Sequence, residues 1–247
     1  MMGVLGEDCH QGFEATTVRA VLFDIDGTLY PQMPLRALMA AEIALEGLRA
    51  RSAGRVRRLV QVIAAFRRVR EELRDLGEPA AERLDELQFS GTAARLRIDV
   101  DEVRNVIEEW VIQRPVKHLR YLRRSGLARL LTTLSGRQLK VGALSDYPGE
   151  QKLQALGVAE AFSFSLCTAD PSINAFKPHP KGFWRACEMW NVAPQEVLYV
   201  GDRSDVDNAG AAAAGMRCFI VGSRIGRGRA GRDGFGAFAE IRRALAV

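Results

Sequence analysis

VLFDIDGTLYP, residues 21–31, ends an apolar run in two carboxylates. Ala20 to Phe23 reads as a short buried strand closed by a turn signal. Asp24 and Asp26 stand just past its C-terminal end, one residue apart. A strand that belongs in a core has no structural use for paired acids, so the question passes to the other strand ends. After QRPVKHLRYL the texture alternates short apolar runs with helical patterns. Leu139 to Leu144, Phe162 to Cys167, Val197 to Val200 and Arg217 to Val221 read as strands, with helices over EQKLQALG, PKGFWRACEMW and DVDNAGAAAAG between them. Strands alternating with helices pair in parallel, which predicts an α/β fold: a Rossmann-like parallel sheet with helices on both faces.

From Leu35 to about Gln113 the pattern is helical almost throughout, in LRALMAAEIALEGL, RVRRLVQVIAAFRRVREEL and VDEVRNVIEEWVI. This block reads as an all-helical cap domain, 32–114, inserted between the first and second strands. The Rossmann-like core takes 18–31 and 115–247, and 1–17 reads as a loose tail.

Composition is that of an ordinary globular protein: 247 residues, 47% hydrophobic and 26% charged. The net charge of +5, carried mostly by arginine, suits a solvated basic surface or an anionic partner such as phosphate. Cys9, Cys167, Cys187 and Cys218 have no paired spacing, which argues against a zinc site or a disulfide framework and for reduced thiols in a cytoplasmic protein. No apolar run approaches the roughly 20 residues of a membrane span, and the N-terminus lacks the pattern of a signal peptide.

Ligands of an open parallel sheet bind beyond the carboxyl ends of its strands. There the sequence offers Asp24 and Asp26, then Ser145 and Asp146 in LSDYP, Lys177 in FKPHP, and Asp202, Asp205 and Asp207 in GDRSDVDNAGA. Carboxylates crowded to about 4 Å repel by about 4 kcal/mol at an effective dielectric of about 20. A hard divalent cation resolves that repulsion, and oxygen donors without a thiolate or imidazole cluster favour Mg2+. With the metal in place, one aspartate is free to attack phosphorus and another to move protons.

DIDGTLY, LSD, KPHP and GDRSDVDNAGA, in this order and spacing, resemble the four motifs of the haloacid dehalogenase superfamily, in its phosphoglycolate phosphatase-like branch with a helical cap after the first motif. The resemblance spans about Ala20 to Val221. It implies hydrolysis of a small phosphorylated metabolite, with Asp24 as nucleophile, Asp26 as general acid and base, and Ser145 hydrogen-bonded to the phosphoryl group. Lys177 would balance the charge of Asp24 and phosphate. Asp24, the backbone carbonyl of Asp26 and Asp202 would bind Mg2+, with Asp207 supporting the metal directly or from behind. The dehalogenase branch needs no metal and lacks the second aspartate of the first motif, so Asp26 and Asp202 favour a phosphatase. A phosphomutase and a non-catalytic binding protein of the same fold are the other readings.

Other features have plainer readings. Ser145 and Asp146 also suit the cap of a helix starting near Gly149, and Asp205 reads as surface charge. His10, His118 and His179 lack ligand spacing. Arg49 to Arg70 contains no acid and reads as a solvated helix face, or else as a surface gathering an anionic substrate or partner; nucleic-acid binding would need aromatic or motif support absent here. Trp110, Trp184 and Trp190 fall at helical apolar positions and read as packing residues. GSRIGRGRAGRDGFG, in the 222–236 loop, does not open a clear helix as a dinucleotide loop would.

Overall fold

The computed structural model describes residues 18–77, 82–222 and 237–245. The tail 1–17, with Cys9 and His10, and nearly all of the glycine- and arginine-rich loop lie outside the described residues. Five parallel strands form one sheet in the order β3-β2-β1-β4-β5: β1 Ala20–Phe23, β2 Lys140–Ser145, β3 Ser165–Cys167, β4 Val197–Gly201 and β5 Arg217–Ile220. β1 is central, and alternation splits its side chains between two faces. Val21 and Phe23 enter one apolar cluster with Leu130, Leu134 and Val200, while Ala20 and Leu22 enter another with Phe183, Trp190 and Tyr199. All four β1 residues are fully buried, which is why the strand reads as a continuous apolar run rather than an alternating one.

Helices α6 (Leu127–Gly136), α7 (Glu150–Ala155) and α10 (Ala237–Ala244) accompany the first cluster. α8 (Lys181–Trp190) and α9 (Ala209–Ala214) accompany the second. Trp110 and Trp190 are buried, as expected of packing residues. Trp184 is not: it is 44% exposed, because the inward stripe of α8 is Gly182, Phe183, Ala186, Cys187 and Trp190, and position 184 falls just off it. β3 is shorter than the sequence pattern suggests, since Phe162 closes a short 3-10 turn and packs its ring against Phe23 instead of extending the strand.

Between β1 and β2 the chain forms α1 (Gln32–Arg49), α2 (Ala53–Asp75), α3 (Leu84–Leu96), α4 (Val100–Ile107) and α5 (Arg114–Leu122). Val62, Phe66, Val103, Ile107 and Trp110 give this helical block its own apolar cluster. The return to the sheet runs through a helix: α4 passes into a wider π-turn, Glu108–Gln113, and then into α5. Pro115 lacks an N–H for the Val111 carbonyl and its ring would crowd it, and widening the turn before it relieves both. Among the described residues no helix is long and apolar enough to cross a membrane.

Candidate active site

β1 lies between β2 and β4, so the sheet itself brings Asp24, Ser145 and Asp202 to adjacent strand ends. Asp24, Asp26, Ser145, Asp146, Lys177, Asp202 and Asp207 open on one cavity of about 440 Å3 beneath α1 and α2. Asp24 is buried; its Oδ1 accepts from Lys177 Nζ at 2.7 Å and its Oδ2 from Thr28 Oγ1 at 3.0 Å. Lys177 Nζ also donates to Asp207 Oδ1 at 2.8 Å and Tyr199 OH at 3.0 Å. Burial alone would lower the Lys177 pKa, but Asp207 and Asp24 more than offset it, and the ammonium is held well above its usual range.

Asp24, Asp202 and Asp207 each offer a carboxylate oxygen within 4.8 Å of the others. Asp207 is heavily committed: besides Lys177 and Tyr199, its Oδ2 accepts the N–H groups of Asp202 at 3.1 Å and Arg203 at 3.0 Å. It thereby fixes the loop that presents Asp202. Asp202 abuts Gly27, where an added Cβ would sit 2.1 Å from Oδ2; a φ of +106° at that position independently favours glycine.

This donor set fits a hard divalent cation. One ammonium faces three carboxylates in a largely buried cluster, and the shortfall appears in the pKa directions of Asp24 and Asp202. Burial pushes Asp24 well above the carboxylate range, Lys177 opposing and Asp207, Asp202 and Asp26 adding to it. Burial and then Asp207 push Asp202 up to about 6, against Lys177, Arg124 and Arg203. A cation of charge two would supply what the protein's own side chains do not, and an all-oxygen donor set would suit Mg2+.

Asp26 stands apart from that cluster. Its carboxylate is held by Lys152 Nζ at 2.7 and 2.6 Å, by Ser145 Oγ at 3.3 Å and by a short bond from Tyr30 OH. Burial would raise its pKa, but the Lys152 charge and these hydrogen bonds win and hold it below the carboxylate range. The backbone carbonyl of Asp26 accepts Gln32 Nε2 at 2.6 Å. Ser145 Oγ accepts the Tyr147 N–H at 3.3 Å, and α7 starts at Gly149 with no side-chain cap, so neither Ser145 nor Asp146 caps it. Asp146 instead takes Thr168 Oγ1 at 2.7 Å and Arg74 Nη2 at 2.6 Å. Asp205 is exposed and paired with Arg203, as its reading as surface charge required.

Lys152 and Arg74 lie outside the motifs, and Thr28 and Tyr30, although inside DIDGTLY, carry no role in the sequence reading. Arg74 reaches from α2 across to the sheet layer, where its Nε donates to the Lys177 carbonyl at 2.8 Å.

Comparison with known proteins agrees with this architecture. Residues 18–215 match the family model of haloacid dehalogenase-like hydrolases. The chain is 29% identical over 216 residues to a glyceraldehyde 3-phosphate phosphatase of Methanopyrus kandleri, spanning 86% of this chain and 85% of that one. It is 29% identical over 226 residues to a phosphoglycolate phosphatase of Shigella boydii, spanning 85% and 82%. Among solved structures, a 2-haloacid dehalogenase from Pseudomonas syringae superposes with a TM-score of 0.63 at 21% identity, over 93% of this chain and 98% of that one, a likeness of fold.

Proposed function

We propose that this chain, which belongs to the haloacid dehalogenase-like hydrolase family, hydrolyses a small phosphate monoester through an aspartyl-phosphate on Asp24, with Mg2+ as cofactor. The observation that carries this reading is the division of labour between two aspartates on one loop: Asp24 inside the acid cluster with Lys177, Asp26 outside it and bound to Lys152. Both relatives at 29% identity bear phosphatase names, which supports the phosphoester over the haloacid.

Asp24 and Asp202 would hold the metal, with the Asp26 carbonyl completing the set and Asp207 keeping the Asp202 loop in place. When bound, the ion neutralises phosphoryl oxygens and the acids that face them. In the first half-reaction an Asp24 carboxylate oxygen attacks phosphorus and the ester oxygen departs, taking a proton from Asp26. Lys177 opposes the protonation of Asp24 that burial favours and faces the charge building on the phosphoryl group, and Ser145 offers it a hydroxyl. In the second, Asp26 takes a proton from water, the water oxygen attacks phosphorus, and phosphate leaves Asp24 free. The depressed pKa of Asp26 favours the ionised form that the second half-reaction needs, whereas the first half-reaction needs it protonated.

The helical block roofs the cavity, whose volume of about 440 Å3 suits a small metabolite. In this reading the cap is 32–114, the block up to the start of α5, set on a core of 18–31 and 115–247, and it excludes water during the first half-reaction. The test is phosphate release from an aryl phosphate and a panel of phosphorylated metabolites, with and without Mg2+, for native protein and Asp24→Asn. Release that requires Mg2+ and disappears in Asp24→Asn supports the proposal. Release that survives in Asp24→Asn, or none at all, defeats it.

A further inference from the structure

The basic run of α2 does not behave uniformly. Arg57 and Arg68 are exposed and do not line the cavity, as a solvated face would have it. Arg55 pairs with Glu46 at 2.9 Å, Arg58 with Glu102 at 2.6 Å and Arg95, on α3, with Glu72 at 2.9 Å. Arg67 and Arg70, with Arg36 from α1, line the same cavity as the acid cluster, and none of the three has an acidic partner among the described residues. Arg36 bonds only Gln32 there. Arg67 makes no hydrogen bond or ion pair among them.

Arg70 is the most constrained. It is 5% exposed, its Nη2 reaches only the neutral Gln88 at 3.2 Å, and its buried Nε has no partner. Its guanidinium lies 3.5 Å from the centre of the Tyr147 ring and 5.1 Å from that of Phe176. These rings fix its plane but offer no oxygen to its donors. The Arg70 charge helps to lower Asp146, but among the described residues no carboxylate oxygen lies within ion-pair distance of it, and a buried guanidinium so placed is costly unless an anion completes it. Arg36 and Arg67 are exposed where they line the cavity; partial desolvation and the like charges of Arg36 and Arg70 lower the Arg67 guanidinium, with the Tyr147 phenol opposing.

We propose that Arg36, Arg67 and Arg70 form a subsite for a second anionic group on the substrate, carboxylate or phosphoryl. The inference rests on the phosphatase reading of the same cavity. Arg74, one turn beyond Arg70, touches the Lys177 carbonyl and so marks the reacting end. At about 1.5 Å per residue, Arg70 and Arg67 lie about 6 and about 10 Å back along the helix. That separation fits two anions joined by a chain of a few carbons. Tyr147 positions the subsite by stacking on Arg70, which explains a bulky ring beside Ser145.

The test compares phosphoglycolate, propanediol bisphosphate and ethyl phosphate as substrates of the native protein and of Arg67→Gln, with Arg67→Lys as the conservative variant should Arg67→Gln not fold. The native protein should favour one of the two doubly charged esters in kcat/KM, and which one identifies the second anion. In the Arg67 variant that preference should fall about tenfold or more, chiefly through KM, as loss of a charged hydrogen bond predicts. Equal use of ethyl phosphate by the native protein, or a preference that survives the substitution, overturns the subsite. If no ester is hydrolysed, the phosphatase reading has failed by itself. Calorimetric titration with malonate then decides: binding about tenfold weaker in the variant retains the subsite, and equal or absent binding ends it.

Discussion

Lys152 Nζ spans both carboxylate oxygens of Asp26, at 2.7 and 2.6 Å, from the first turn of a helix 126 residues away in sequence. The pair is almost closed to solvent, the lysine side chain being 7% and the aspartate 21% exposed. It sets the protonation state of the residue to which both proton transfers are assigned.

Replacing Lys152 by methionine removes the charge that holds the Asp26 carboxyl down, leaving burial to push it up. The acid limb of the pH–rate profile should therefore move to higher pH, with the plateau at alkaline pH less affected. The profile of kcat against pH for both proteins checks this. An unmoved acid limb would show that Lys152 does not tune the proton-transfer group.

Arg74 joins the helical block to the sheet layer through Asp146 at 2.6 Å and the Lys177 carbonyl at 2.8 Å, with the guanidinium and Asp146 both nearly buried. Removing one partner of such a pair strands the other, at a cost of about 3 kcal/mol. Arg74→Ala should lower Tm by about 6–12 °C for a chain of this size. Thermal denaturation checks it, and a shift below about 2 °C would mean the contact is solvated and weak.

Gly27→Ala combines a left-handed φ of +106° with a Cβ placed 2.1 Å from Asp202 Oδ2. The strain alone should cost about 1–3 kcal/mol, and relieving the clash must displace Asp202. Lower Tm together with weaker Mg2+ binding by calorimetry is the expected outcome. Normal Mg2+ affinity in a destabilised variant would separate Asp202 from the metal.

The raised Asp202, at about 6 against an ordinary 3.8, gives a signed pH dependence. Between these values the folded protein binds more protons than the unfolded chain, so metal-free stability should fall as pH rises through that window. Asp24 acts in the same direction, while Asp26 and Asp146, both lowered, lose their contribution only at more acid pH. The Tm gained on adding Mg2+ should therefore be larger at about pH 7 than at about pH 5. Asp202→Asn should flatten the metal-free slope. Equal gains at both pH values would contradict a cation-compensated cluster.

The sheet was legible because each of its central strands is apolar on both faces and then stops in polar residues, a change that neither a helix nor a loop produces. The acid cluster followed from the same rule, since parallel strands deliver their C-terminal residues to one edge. Lys152 was harder to see because a helical pattern such as EQKLQALG is judged by its apolar members. Its signal was a lysine on the buried stripe with Leu153 and Leu156. In α2 basic residues occur at nearly every helical phase, so periodicity could not separate Arg70 and Arg74, turned into the protein, from Arg57 and Arg68 on the outside. That distinction depends on what the helix packs against. Trp184 failed for the same reason, one position off the stripe that buries Phe183.

The central claim is that Asp24 carries the phosphoryl group, and the most direct measurement is acid quenching of the native protein during Mg2+-dependent turnover of an aryl phosphate, followed by peptide mass analysis. A phosphoryl adduct on Asp24, absent without Mg2+ and absent in Asp24→Asn, is the expected result. Turnover with no adduct on Asp24, or with the adduct on another side chain, would contradict it.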